Sequence, residues 1–145
     1  MTRYLLPLLI VLGCGCTLPA AEPFELTIGP GFTAEERAVI EERAHEWLSV
    51  GASLGRVRVA LQVPEAGEQF VGHFADGLLE IHPETRGPMF GRVVLHELGH
   101  AAGAGHHEGR GTMHPFVTEA APCITSEDLA TAGLVGPGTC GGAGD

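Results

Sequence analysis

Residues 96–106 of this 145-residue chain read His96-Glu97-Leu98-Gly99-His100-Ala101-Ala102-Gly103-Ala104-Gly105-His106, the pattern HExxHxxGxxH without a mismatch. His96 and His100 stand four apart, so a helix would put both imidazoles on one face. Glu97 lies one residue on, within reach of a water held by a metal between them. Gly103 is the residue type that can end a helix with a positive φ and turn the chain back. That turn would bring His106 to a third corner. Three neutral ring nitrogens with an open fourth position describe a catalytic zinc site, not a closed structural one. A helix that merely displays its histidines to solvent is the plain alternative, and the full spacing argues against it.

The helix that must carry these groups is legible around them. Val93, Val94, Leu98 and Ala101 or Ala102 are spaced to bury one face, so it is expected to start between 88 and 91 and stop at Gly103. Gly99 inside it costs about 1 kcal/mol, which suggests that something packs close there. Upstream, residues 24–28 alternate as a strand. Thr33, with Glu36 three residues later, opens a helix toward Val50 in a capping-box pattern, with Ile40, Ala44, Trp47 and Leu48 on one face. Residues 56–63 read as a strand. Residues 70–74 and 78–82 read as two more around an Ala75-Asp76-Gly77 turn. A last helix is expected at about 125–132.

Seven residues beyond His106 stands Met113, in Gly111-Thr112-Met113-His114-Pro115. With the zinc motif, this resembles the metzincin metalloproteases, and within them most of all the matrixins, whose Met-turn ends in Met-x-Pro. Ile124-Thr125-Ser126-Glu127-Asp128-Leu129, followed by Leu134-Val135-Gly136, resembles their closing helix. The likeness covers about 25–136. It implies an α+β fold, with a twisted mixed sheet packed on helices and a zinc cleft under an edge strand. It implies one catalytic zinc on His96, His100 and His106, with Glu97 as the general base toward a metal-activated water. Met113 would be an apolar floor under the metal. A protein or peptide substrate would lie along the edge strand, expected at Leu78, Leu79, Glu80 and Ile81, with Pro115 and Phe116 helping to wall the pocket. Some metzincins add a tyrosine two residues after the methionine; here Pro115 stands there. The segment between His106 and Met113 is slightly short for a vertebrate-type matrixin.

Other readings stay open beside this one. His107 directly follows His106 and could replace it as ligand. His73 and His82 could form a second metal site with Asp76 or Glu84. Glu65, Glu68, Asp76 and Glu80 could bind calcium, although no loop has the ligand density of a calcium motif. The scaffold could also serve as a non-catalytic zinc-binding or interaction module.

Arg3 and an apolar stretch over 4–12 have the shape of a secretory leader too short to span a bilayer. Val11-Leu12-Gly13-Cys14 resembles a bacterial lipobox, so residues 1–13 read as a leader and Cys14 as a lipidated first residue. An ordinary leader cut near Ala20 or Ala21 is the alternative. Either way the protein is expected to be exported. With the lipobox it would be held at the bacterial cell envelope by acyl chains, at an outer membrane if there is one; otherwise it would be secreted. Residues 14–23 form a tether, 24–136 the domain and 137–145 a loose tail apart from Cys140. Cys123 and Cys140 suit a disulfide in an oxidising compartment, stabilising by roughly 3 kcal/mol; free or metal-binding cysteines are the other option. The net charge of −10, with arginine as the only strong base, argues against nucleic acid as a partner. A monomer is expected.

Overall fold

The computed structural model describes residues 23–65, 70–117 and 122–140. The expected leader, the lipidation residue Cys14, Cys16 and Glu68 lie outside these residues. The elements are β1 (Glu25–Ile28), α1 (Ala34–Ser49), β2 (Arg56–Leu61), β3 (Gly72–Ala75), β4 (Leu78–Ile81), α2 (Pro88–Ala101) and α3 (Ser126–Thr131). They form a mixed α/β fold of a four-stranded mixed sheet and three helices.

The capping box that opens α1 is formed. Thr33 N–H donates to Glu36 Oε2 at 2.9 Å, and Glu36 N–H donates to Thr33 Oγ1 at 3.2 Å. The helix buries Ile40, Ala44 and Trp47. Trp47 then ties α1 to α2, since its indole N–H donates to Leu95 O at 2.8 Å. In β2, Val57 and Val59 face the core while Arg56 and Arg58 face out, which is the two-residue period of a half-buried strand. Leu79 and Ile81 of β4 join the same core with Phe90, Val94, Leu95 and Leu98 of α2. The sheet thus sets its apolar face on α1 and α2.

The strand order is β1-β2-β4-β3. β1 with β2 and β2 with β4 are parallel, and β3 with β4 is antiparallel. Asp76 (φ 49°) and Gly77 (φ 76°) turn the β3–β4 hairpin, both in the left-handed region that such a two-residue turn demands. This order corrects one expectation. Leu78–Ile81 is an interior strand, hydrogen-bonded to β2 on one side and β3 on the other. Its Leu79 and Ile81 are fully buried. The parallel pairing of β2 with β4 leaves β3 outermost, so the free edge nearest α2 is Gly72–Ala75.

The two cysteines near the end of the chain are joined. Cys123 and Cys140 form a disulfide. Thr139 N–H and Cys140 N–H both donate to Ile124 O, at 2.7 and 3.1 Å. These contacts fix Thr139 and Cys140 against Ile124; residues 141–145 of the expected tail lie outside the described residues. Among the described residues, no helix is long and apolar enough to cross a membrane.

Candidate metal centre

α2 starts with Pro88 at its first turn and ends at Ala101, so His96 and His100 lie one turn apart on its last part. Gly103 (φ 85°) follows the helix and reverses the chain as the motif requires. Gly103 N–H donates to His100 O at 3.0 Å and Ala104 N–H to Gly99 O at 2.9 Å, closing the helix end. The returning loop carries His106 back over the helix.

The three rings converge. His106 Nε2 lies 3.1 Å from His96 Nε2 and 3.2 Å from His100 Nε2, and the three ligand atoms all lie within 4.8 Å of one another. Among the described residues this is the one group of three or more donors able to hold a metal ion. The outward nitrogens explain why. His96 Nδ1 is 2.8 Å from Thr112 O, and His100 Nδ1 is 3.0 Å from Ala104 O. A carbonyl can only accept, so Nδ1 carries the proton in both rings and Nε2 presents a bare lone pair. Two lone pairs thus face His106 Nε2. A proton there would serve one of them, whereas a cation serves all three. Two ligands of a tetrahedral zinc stand about 3.3 Å apart, so the donor set and its spacing fit such an ion.

Burial reinforces the donor state. It drives the pKa of His96 down to about 4, against the opposing hydrogen bond to Thr112. Burial also lowers His100, helped by the neighbouring His106 and His73. His106, by contrast, is exposed, which leaves one side of the trio open to solvent.

Glu97 projects into the same space. It is 5% exposed, and among the described residues nothing hydrogen-bonds its carboxylate. Burial alone raises its pKa from 4.5 to about 7. Gly72 of the edge strand permits this placement. A Cβ at Gly72 would stand 2.3 Å from Val93 Cγ1 and 3.0 Å from Glu97 Oε1, so a larger residue would push β3 off the helix. The cleft has a volume of about 840 Å³. His96, Glu97, His100 and His106 form its polar centre; Phe70, Val71, Phe74, Met89, Pro115 and Val117 supply apolar walls.

Met113 is fully buried against Gly99 of α2, the residue before the ligand His100 in sequence. A Cβ at Gly99 would lie 2.2 Å from Met113 Sδ and 2.8 Å from Trp47 Cζ2. These are the close packers that the helix glycine implied. Asp128 of α3 holds the methionine loop. Its Oδ1 accepts from Met113 N–H at 2.8 Å and its Oδ2 from Thr112 N–H at 2.9 Å. The same carboxylate takes Thr125 N–H and His107 Nε2–H, each at 2.7 Å. Burial pulls its pKa up. The hydrogen bonds from Thr125, Met113 and His107 outweigh this and hold it below the ordinary carboxylate value.

The peptide joining Thr112 to Met113 thus donates to Asp128 through its N–H and accepts from His96 through its C=O. Sequence reasoning did not single out Asp128. As the third residue of a short helix it reads as an ordinary capping acid, and its capping box with Thr125 is indeed present. His107 is settled by the same contact: it points at Asp128, away from the trio, and Gly109 N–H donates to its Nδ1 at 3.0 Å.

Of the remaining expected site residues, Pro115 lines the cleft with Val117, while Phe116 is 66% exposed and lies tilted beside His114 instead, ring centroids 5.9 Å apart. His73 and His82 also line the cleft but, among the described residues, gather no third ligand: His73 faces Glu80 at 3.4 Å, and His82 Nδ1 accepts from Glu84 N–H. No family model, curated protein or solved structure matches this chain.

Proposed function

We propose that the chain is a zinc-dependent endopeptidase of the metzincin kind, exported and anchored through Cys14. The observation that carries this reading is the meeting of three imidazoles with a buried carboxylate, hydrogen-bonded by none of the described residues, in an open cleft. His96, His100 and His106 would hold the ion. When bound, zinc would acidify a water and polarise a peptide carbonyl. Glu97 would accept the proton of the attacking water and hand it to the nitrogen of the leaving amine. Met113 and Trp47 would keep the floor of the site rigid and dry.

The substrate would add to the edge of the sheet. His82 N–H donates to Val71 O at 3.1 Å, and Gly72 pairs with Ile81. Alternation along an antiparallel ladder then turns the N–H and C=O groups of Gly72 and Phe74 outward. A peptide pairing with them would pass beside Glu97. The apolar walls would take its side chains.

The test uses the purified chain loaded with zinc and a diverse peptide library. Internal cleavage by wild type, and its loss in Glu97→Ala with zinc retained, is the expected result. One zinc bound with no peptide cut would instead favour a non-catalytic binding module. Mass-spectrometric mapping separates internal cuts from terminal trimming.

A further inference from the structure

We propose that the Cys123–Cys140 disulfide is a redox switch on the metal site, acting through α3 and Asp128. The proposal rests on the three-histidine group as a metal site and is independent of whether the site cuts peptides.

The route is continuous. The disulfide closes the chain around α3. A six-residue helix does not hold itself together in water, so its position depends on the burial of Leu129 in the core and on what ties down its ends. At its start, the strap 138–140 lies along Ile124. Thr139 N–H and Cys140 N–H donate to Ile124 O, and Ile124 N–H donates to Thr139 Oγ1 at 3.0 Å. The contact is close enough that a Cβ at Gly138 would stand 2.3 Å from Ile124 O. The next residue, Thr125, caps α3 and donates both N–H and Oγ1–H to Asp128 Oδ2, at 2.7 and 2.8 Å. Asp128 grips the Thr112–Met113 peptide, and that peptide's carbonyl orients His96. His107, beside the ligand His106, is held by the same carboxylate. Two of the three ligands are thus positioned, His96 through the Thr112–Met113 peptide and His106 through its neighbour His107, by a fully buried group whose helix the disulfide ties down.

Closing the bond passes two electrons and two protons from the two thiols to an oxidising disulfide, which leaves as a dithiol. In the reduced chain the strap is held by hydrogen bonds alone, and His96 loses part of its orientation. Loss of an outer partner of a metal-bound histidine weakens metal binding by roughly 10- to 100-fold. A chain kept reduced would therefore load zinc poorly, and one moved to an oxidising compartment would load it well.

Zinc affinity is measured by competition with a chromogenic chelator, for oxidised wild type and for Cys123→Ser/Cys140→Ser. Serine cannot ligate zinc as a freed thiol would. We expect about tenfold weaker binding in the serine variant, with its far-UV circular dichroism retained and the visible spectrum of its cobalt(II) form altered. Asp128→Asn in the oxidised chain is expected to weaken zinc to a similar degree, and adding the serines to it should cost little more.

Thr139→Val keeps the disulfide but removes the hydroxyl that accepts from Ile124 N–H and donates to Glu46 of α1. A several-fold loss of affinity there supports the route without breaking the covalent loop. Equal affinity and equal cobalt spectra in the oxidised wild type, the serine variant and Thr139→Val would overturn the switch. So would strictly additive losses with Asp128→Asn. Absence of zinc binding in oxidised wild type would sink the metal site itself, and the switch with it.

Discussion

Replacing Glu97 by glutamine separates binding from chemistry at a single atom. The three imidazoles keep their places, so one zinc should still bind, while peptide hydrolysis should fall about 10²- to 10⁴-fold with the loss of the base. Quantifying bound metal and cleavage rate on the same sample checks both, and undiminished cleavage would remove Glu97 from the mechanism. The same variant has a signature without metal. Burial raises Glu97 from 4.5 to about 7, so in that window the folded chain keeps a proton that the unfolded chain releases. Its contribution to stability is full below pH 4.5 and is lost as pH rises through 7. Metal-free Glu97→Gln should therefore be more stable than metal-free wild type at pH 8, by up to about 3 kcal/mol, and similar to it near pH 4. Thermal melts in chelator read this; a gap that does not change with pH would contradict it. Gly99→Ala tests the packing below. Its Cβ has no room beside Met113 and Trp47, and the expected cost is about 1–3 kcal/mol in urea denaturation.

The helices and strands differ in how far local sequence could describe them. α2 was readable because its ligands, its apolar face and its glycine stop all depend on neighbours within a turn or two. The capping box of α1 was readable for the same reason. The place of β4 in the sheet was not, because strand order follows from pairing between distant segments. Residues 78–81 alternate in burial much as an edge strand would, and only the parallel pairing with β2 reveals them as interior. Asp128 was hidden likewise: its partners Thr112 and Met113 lie 16 and 15 residues away. Its weight can be measured. Asp128→Ala leaves two buried backbone N–H groups without an acceptor and should destabilise the fold by about 3 kcal/mol at pH 7. The folded pKa of Asp128 lies below its ordinary 3.8, so this contribution is present above pH 3.8 and is lost as pH falls through the lower value. Denaturation of wild type and variant from pH 7 downward should show the gap closing in acid. A gap that persists at the lowest pH would mean that the carboxylate charge is not what holds the loop.

At the scale of the whole molecule, a modest core is stapled where the segment leading into α3 meets the strap 138–140. Removing the disulfide frees a loop spanning 17 positions and should cost about 3 kcal/mol in the chain-entropy view, measurable as a lower urea midpoint. An unchanged midpoint would mean that the strap holds by its hydrogen bonds alone. The proposed peptide cleavage depends on one physical statement: His96, His100 and His106 hold a single divalent cation through their Nε2 atoms. X-ray absorption at the zinc edge of the loaded, oxidised chain addresses it most directly. The account predicts one zinc per chain with three imidazole nitrogens at about 2.0 Å and one further light atom. Zinc that washes away on dialysis, or a sulfur shell near 2.3 Å from cysteine ligation, would contradict it.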